Sequence, residues 1–164
     1  MDEQEKRLHR VCFTGHRPEK LTRFEWLIKK DLEKEIKKAI EDGLTVFISG
    51  MARGVDIWAA EIVLKLRDAG KPVRLICASP YEGFENRWEQ DWKDRYNGIL
   101  SKADHVVFVC KHYSRGCFQI RNEWMVDSAD LVIAYVKYSW GGASKTLEYA
   151  KRKNKPIINL ATNI

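Results

Sequence analysis

The sequence predicts an α/β fold, a three-layer sandwich with a mainly parallel sheet and helices on both faces. Three observations carry this. Short apolar runs rich in Val and Ile recur six times, at 11–14, 45–49, 73–78, 105–110, 131–136 and 157–160. Most are continuous rather than alternating, the pattern of strands buried on both faces. Helical periodicities separate them, and strict strand–helix alternation implies parallel pairing through crossover helices.

The elements follow in order. Phe24, Leu27, Ile28, Leu32, Ile36, Ala39 and Ile40 fall on one stripe of a first helix, which Gly43 stops. Val55, Trp58, Ala59, Ile62, Val63 and Leu66 form the stripe of a second, stopped by Gly70. A third runs over about 85–100, with Trp88, Trp92, Tyr96 and Ile99 facing one way. A fourth covers about 118–128 and a fifth about 144–153, ahead of Pro156. No repeat, low-complexity segment or linker interrupts the pattern, so one domain over residues 1–164 is expected.

A chain of 164 residues buries about two-thirds of its unfolded surface without needing disulfides or a structural metal. Its 45% hydrophobic and 32% charged residues exclude an intrinsically disordered segment. No apolar run approaches the roughly 18 residues of a membrane span. The first ten residues are charged and lack an apolar core, so no secretory signal is expected. Cys12, Cys77, Cys110 and Cys117 show no C-x-x-C spacing, which reads as reduced, mostly buried thiols of a cytoplasmic protein. The net charge is +6, of which residues 130–164 carry +4. That bias suits an anionic ligand, from a nucleotide up to nucleic acid, or is simply a solvated basic helix end.

A parallel sheet presents its ligand site at the carboxyl ends of its strands. Five loops therefore bear on function: 15–22, 50–56, 79–87, 111–116 and 137–144. In the first, Gly15 follows strand residue Thr14 and lets the backbone approach a ligand, while Arg17 can fork onto a phosphate. His16 is a candidate donor or an incidental loop residue. The second runs Ser49-Gly50-Met51-Ala52-Arg53-Gly54-Val55-Asp56 straight into an amphipathic helix. Small residues at a helix start leave first-turn N–H groups available to an anion. Asp56 is either a helix cap or a carboxylate that holds a ribose hydroxyl or a neighbouring loop. The last loop, Trp140-Gly141-Gly142-Ala143-Ser144-Lys145-Thr146, opens a second helix the same way, with Ser144 and Thr146 as hydroxyl donors. In the middle segment Tyr81 or Trp88 can stack on a base and Arg87 can pair with an anion, whereas Trp92 reads as core. Arg121 and Glu123 are either a surface pair or ligand contacts.

Neither glycine loop is a P-loop or a G-x-G-x-x-G fingerprint, which disfavours P-loop hydrolysis and standard NAD binding. The sequence also lacks a G-x-S-x-G elbow, H-E-x-x-H and Cys/His metal spacing.

Taken together, Phe13-Thr14-Gly15-His16-Arg17-Pro18, Ser49-Gly50-Met51-Ala52-Arg53-Gly54-Val55-Asp56 with Trp58-Ala59-Ala60-Glu61, and Asn86-Arg87-Trp88 resemble the SLOG (SMF/DprA–LOG) superfamily. The YpsA-like branch is the nearest likeness within it. Ala103-Asp104, Tyr113, Phe118-Gln119-Ile120-Arg121-Asn122 and the late Gly141-Gly142 loop extend the resemblance over nearly the whole chain. The resemblance implies a Rossmann-like domain whose strand-end groove takes a nucleotide or an ADP-ribose-like derivative. It places binding on Gly15, Arg17, Gly50, Ala52, Gly54, Asp56, Gly141, Gly142, Ser144 and Thr146. It implies no required cofactor, a regulatory or sensor role in bacterial stress or cell division, and a homo-oligomer, by default a dimer.

Two alternatives stay open. LOG enzymes carry P-G-G-x-G-T-x-x-E with a catalytic Glu. Here Trp140 stands in place of the Pro, Tyr149 lies three places after Thr146, and Glu148 falls one place short. N-glycosidic hydrolysis of a nucleoside monophosphate would then need Glu82, Glu123 or Glu148. The 49–56 run also resembles single-stranded-DNA-binding DprA proteins.

Overall fold

The computed structural model describes residues 2–163. Six strands form one sheet: β1 (Arg10–Gly15), β2 (Val46–Ser49), β3 (Arg74–Ser79), β4 (His105–Phe108), β5 (Leu131–Tyr135) and β6 (Ile157–Asn159). The order is β4-β3-β2-β1-β5-β6 and every pairing is parallel. Between them run α2 (Glu25–Glu41), α3 (Val55–Asp68), α4 (Gln90–Lys102), α5 (Cys117–Asp127) and α6 (Gly142–Arg152). A five-residue helix, α1 (Glu3–Arg7), precedes β1 and is closed by an Asp2/Glu5 capping box.

Two cores explain why the strand runs are continuous rather than alternating. Val11, Phe13, Phe47, Leu75, Cys77, Ile133 and Tyr135 face a cluster built with α2, α3 and α4. Their strand neighbours Cys12, Ile48, Ala78, Val132 and Ala134 face a second cluster built with α5 and α6. Right-handed crossovers require this division, because the chain steps one way from β1 to β4 and then returns to the far side of β1. The order reverses between β1 and β5, so the crevice expected of such a sheet opens above that junction.

Several expectations differ from the structure. Phe24 does not join the buried stripe; it precedes α2 and is 71% exposed. The third helix begins at Gln90, not 85, because residues 81–87 form successive turns. Trp88 therefore lies outside the helix. The run at 105–110 is not buried on both faces: β4 is the sheet edge and Phe108 is exposed. Among the described residues, no helix is long and apolar enough to cross a membrane.

Candidate functional site

The loops after β1, β2, β3 and β5 and the start of α5 surround a cleft of about 880 Å³ at the carboxyl ends of the strands. Thr14, Gly15, Arg17, Ala52, Asp56, Trp88, Arg121 and Gly142 line it, as the sequence leads one to expect. The cleft thus brings the 50–56 and 141–144 loops to one crevice.

The first loop folds over the second. A Cβ on Gly15 would lie 2.6 Å from Val55 Cβ, so β1 and α3 approach too closely for any side chain there. Gly54, the residue before α3, has φ 93°, and a Cβ on it would meet the His16 carbonyl and Pro18 at 3.0 Å. A left-handed backbone under a neighbouring chain fits glycine alone. Residues 16–18 consequently cover the α3 start, and Gly54 and Val55 lie beneath the cleft floor instead of facing a ligand. The Arg53 guanidinium pairs with Glu19 at 2.7 Å, tying the same two loops.

His16 is not an incidental loop residue: it lines the cleft, and with Nε2 accepting, its proton sits on Nδ1, which remains a donor. It is buried, and its Nε2 accepts the backbone N–H groups of Lys137 (2.9 Å) and Tyr138 (3.1 Å). Burial, with the nearby Lys20 charge, holds its pKa below the usual value, which keeps the accepting nitrogen free of a proton.

Asp56 lies at the back of the cleft. Its Oδ2 accepts the Ala52 N–H at 3.3 Å, and its backbone carbonyl accepts Ser49 Oγ at 2.8 Å. It therefore organises the loop before its helix and does not cap the helix. Its Oδ1 is buried without a hydrogen-bond partner among the described residues. Burial pushes the carboxyl pKa up to about 6, against the opposing pull of the Arg121 guanidinium and the Ala52 amide. Arg121 is itself buried on α5. Its Nη1 donates to the Gly50 carbonyl and its Nε to Asn122 Oδ1. Glu123 is not its partner: it is half-buried on α5 and does not line the cleft.

The remaining expected residues support the site from behind. Gly50 gives its carbonyl to Arg121, and a Cβ there would meet Asp56 Oδ2 at 3.0 Å. Met51 is fully buried with φ 63°. Gly141 precedes α6; Ser144 and Thr146 are buried on that helix, and Thr146 Oγ1 donates to the Gly142 carbonyl. The Thr146 hydroxyl is therefore turned into the helix, and neither Ser144 nor Thr146 lines the cleft; Gly142 and Ala143 are the part of α6 that does.

Other lining residues complete the character of the site. Tyr81, Phe84, Trp88, Tyr113 and Phe118 form one aromatic wall, with Phe84–Trp88 centroids 4.9 Å apart, Tyr81–Tyr113 at 5.7 Å and Phe84–Phe118 at 5.7 Å. Phe84 and Lys20 are not singled out by the sequence as ligand contacts, and Phe118 is marked only by the family resemblance; Tyr81 and Arg87 are foreseeable from their loop. Arg17, Lys20, Arg53, Arg87 and Arg121 supply cations, against the single carboxyl of Asp56. Arg53 is offset by Glu19 and Arg121 by Asp56, so three positive charges remain without a carboxylate partner among the described residues.

The sequence profile of the YspA SLOG family, designated YpsA, matches residues 11–160. The chain belongs to this family. The UPF0398 protein BH1768 of Halalkalibacterium halodurans is 34% identical over 131 residues, 78% of this chain and 69% of that protein. A UPF0398 protein of Bacillus thuringiensis is 31% identical over 158 residues, 91% of this chain and 85% of its own. Among solved structures, DNA processing protein A from Helicobacter pylori, studied for its single-stranded DNA binding mode, has a TM-score of 0.66 at 22% identity. The match covers 94% of this chain and 66% of that one, so this chain spans just under two thirds of the solved protein. At that identity the likeness speaks to the fold, and the α/β three-layer architecture of the SLOG superfamily agrees with the sheet described above.

Proposed function

We propose that this SLOG-family protein binds a nucleotide or a nucleotide-derived molecule of the AMP, NAD or ADP-ribose kind, and that it acts as a ligand sensor. One observation carries the reading: a single cleft joins unpaired cations and the α6 start to an aromatic wall. A phosphate is attracted to the first set and a base to the second. The orphaned Asp56 Oδ1 suits a ribose hydroxyl as donor, since a buried acceptor left unpaired costs free energy that a ligand can recover. A sensor accounts for the acidic inventory better than a hydrolase does. Glu82, Glu123 and Glu148 do not line the cleft, and Glu148 pairs with Lys151 on the outside of α6. Dimerisation belongs to the same reading, and sedimentation velocity tests it.

Titration calorimetry with AMP, NAD and ADP-ribose tests the assignment, with saturable one-to-one binding expected for at least one of them. A second reading, single-stranded DNA binding, draws support from the same mixture of aromatic rings and cations and from the DprA-like fold. Its mark is oligonucleotide affinity that falls steeply with salt. Silence toward every mononucleotide together with salt-sensitive oligonucleotide binding replaces the first reading by the second. Release of free adenine from AMP replaces it by the hydrolase.

A further inference from the structure

Trp140 stands beside the cleft, two residues before the lining residue Gly142 and in contact with the lining residue Lys20, and is 57% exposed. Its indole stacks on Tyr138, with centroids 5.4 Å apart and planes at 26°, and Tyr138 in turn rests on His16 at 5.3 Å. The ring is thus held in place from below while more than half of its surface meets water. Tryptophan in a purely structural role is usually covered, because its large apolar area is expensive to hydrate.

Lys20 links this ring to the phosphate end of the cleft. Its Nζ lies 4.3 Å from the indole centroid and 2.7 Å from where a Cβ at Gly141 would stand. The ammonium therefore sits at the α6 start, where the helix dipole and first-turn amides favour an anion. A phosphate arriving there draws the ammonium toward itself, since a charge-assisted bond to phosphate outweighs an exposed cation–ring contact. In this structure Lys20 and Tyr138 both contact the indole, so a ring stacking on Trp140 takes the place of the ammonium.

The sheet order sets the spacing. The aromatic wall rises from the loops after β3 and β4, and Trp140 from the loop after β5. Strands β2 and β1 lie between β3 and β5, so the two ring platforms are separated by about 14 Å of sheet, with the cations of the first two loops between them.

We propose that Trp140 is a second base-stacking platform and that the ligand is a dinucleoside diphosphate, two planar bases joined through a pyrophosphate. This rests on the nucleotide reading above and narrows it, because a mononucleotide has one ring and engages one platform.

The test compares AMP, diadenosine diphosphate and a deoxyadenosine dinucleotide by calorimetry on the full chain and on Trp140→Ala and Trp140→Phe. The native chain is expected to bind diadenosine diphosphate about tenfold more tightly than AMP, the scale of one base–aromatic stack. Trp140→Ala should lose that factor while its AMP affinity moves less than about twofold, and Trp140→Phe should keep most of it. AMP binding with no gain from the second base, or equal loss on both ligands, overturns this inference and leaves the nucleotide reading standing. Tighter binding of the deoxydinucleotide overturns the ligand class. A dimer that dissociates in Trp140→Ala with the affinity ratio unchanged assigns the ring to self-association and overturns it as well. Failure of the native chain to bind any of the three overturns this inference, while the titrations with NAD and ADP-ribose decide the nucleotide reading separately.

Discussion

Replacing Asp56 by asparagine separates the stability of this protein from its binding. The carboxyl is buried and its pKa stands at about 6 against an ordinary 3.8. Between those values the folded chain holds a proton that the unfolded chain has released, so stability falls as pH rises through the window and is level above it. The gap corresponds to roughly 3 kcal/mol at about 1.4 kcal/mol per tenfold change. The attraction of Arg121 is already contained in that pKa, since burial outweighs it. A neutral amide of the same shape escapes the cost, and its oxygen can still accept the Ala52 N–H. Asp56→Asn is therefore expected to be more stable than the native chain by up to about 3 kcal/mol at pH 8. For a chain of this size that raises the melting temperature by about 5–10 °C. The advantage should shrink toward zero near pH 4, where the native carboxyl is protonated. The same variant should lose about tenfold or more in affinity for a ribose-bearing ligand, as a hydrogen bond to a charged group is removed. Thermal melts of both chains at pH 4, 6 and 8 decide the matter. An Asn variant that melts lower at pH 8, or a difference that does not change with pH, would refute the account.

Other expectations follow from the geometry. Gly15→Ala forces a methyl to within 2.6 Å of Val55 Cβ and should cost about 1–3 kcal/mol, read as a lower urea midpoint with unchanged slope. Arg17→Ala removes an exposed cation without touching the core, so the melting temperature should hold while affinity for an anionic nucleotide falls several-fold, and the loss should narrow as salt is added. Cys12, Cys77 and Cys117 are buried, and burial pushes the first two thiols up to about 12. A thiol reagent should therefore modify Cys110 alone in the native protein and all four in urea; rapid modification of two or more native thiols contradicts the packing.

The layer arrangement is legible in the sequence because strands covered on both faces leave long apolar runs, and Gly43 and Gly70 do fall just past the ends of α2 and α3. The third helix is misplaced for a physical reason. Trp88 is four residues before Trp92 and so continues the stripe of Trp92, Tyr96 and Ile99, yet residues 82–87 form turns and Trp88 packs on Phe84 and Tyr96 from outside the helix. The residues of the cleft are legible where local chemistry marks them, as with Arg17, Ala52 and Gly142. They are not legible where a distant segment decides exposure. Nothing near Gly54 reveals that residues 16–18 close over it, and nothing near Thr146 reveals that its hydroxyl bonds back to Gly142 in its own helix. Phe118 gains its role only because the β4–α5 connection brings it beside Phe84.

The reversal of strand order between β1 and β5 also bears on biosynthesis. As the polypeptide leaves the ribosome, β1 through β4 can assemble into half a sheet, but the strand that flanks β1 on its other side is made more than a hundred residues later. Until then Val11, Cys12 and Phe13 border an unpaired edge in what becomes the middle of the finished sheet. Nascent chains stalled before residue 131 thus present a sticky ladder to one another, and a holding chaperone has its reason to act during that interval.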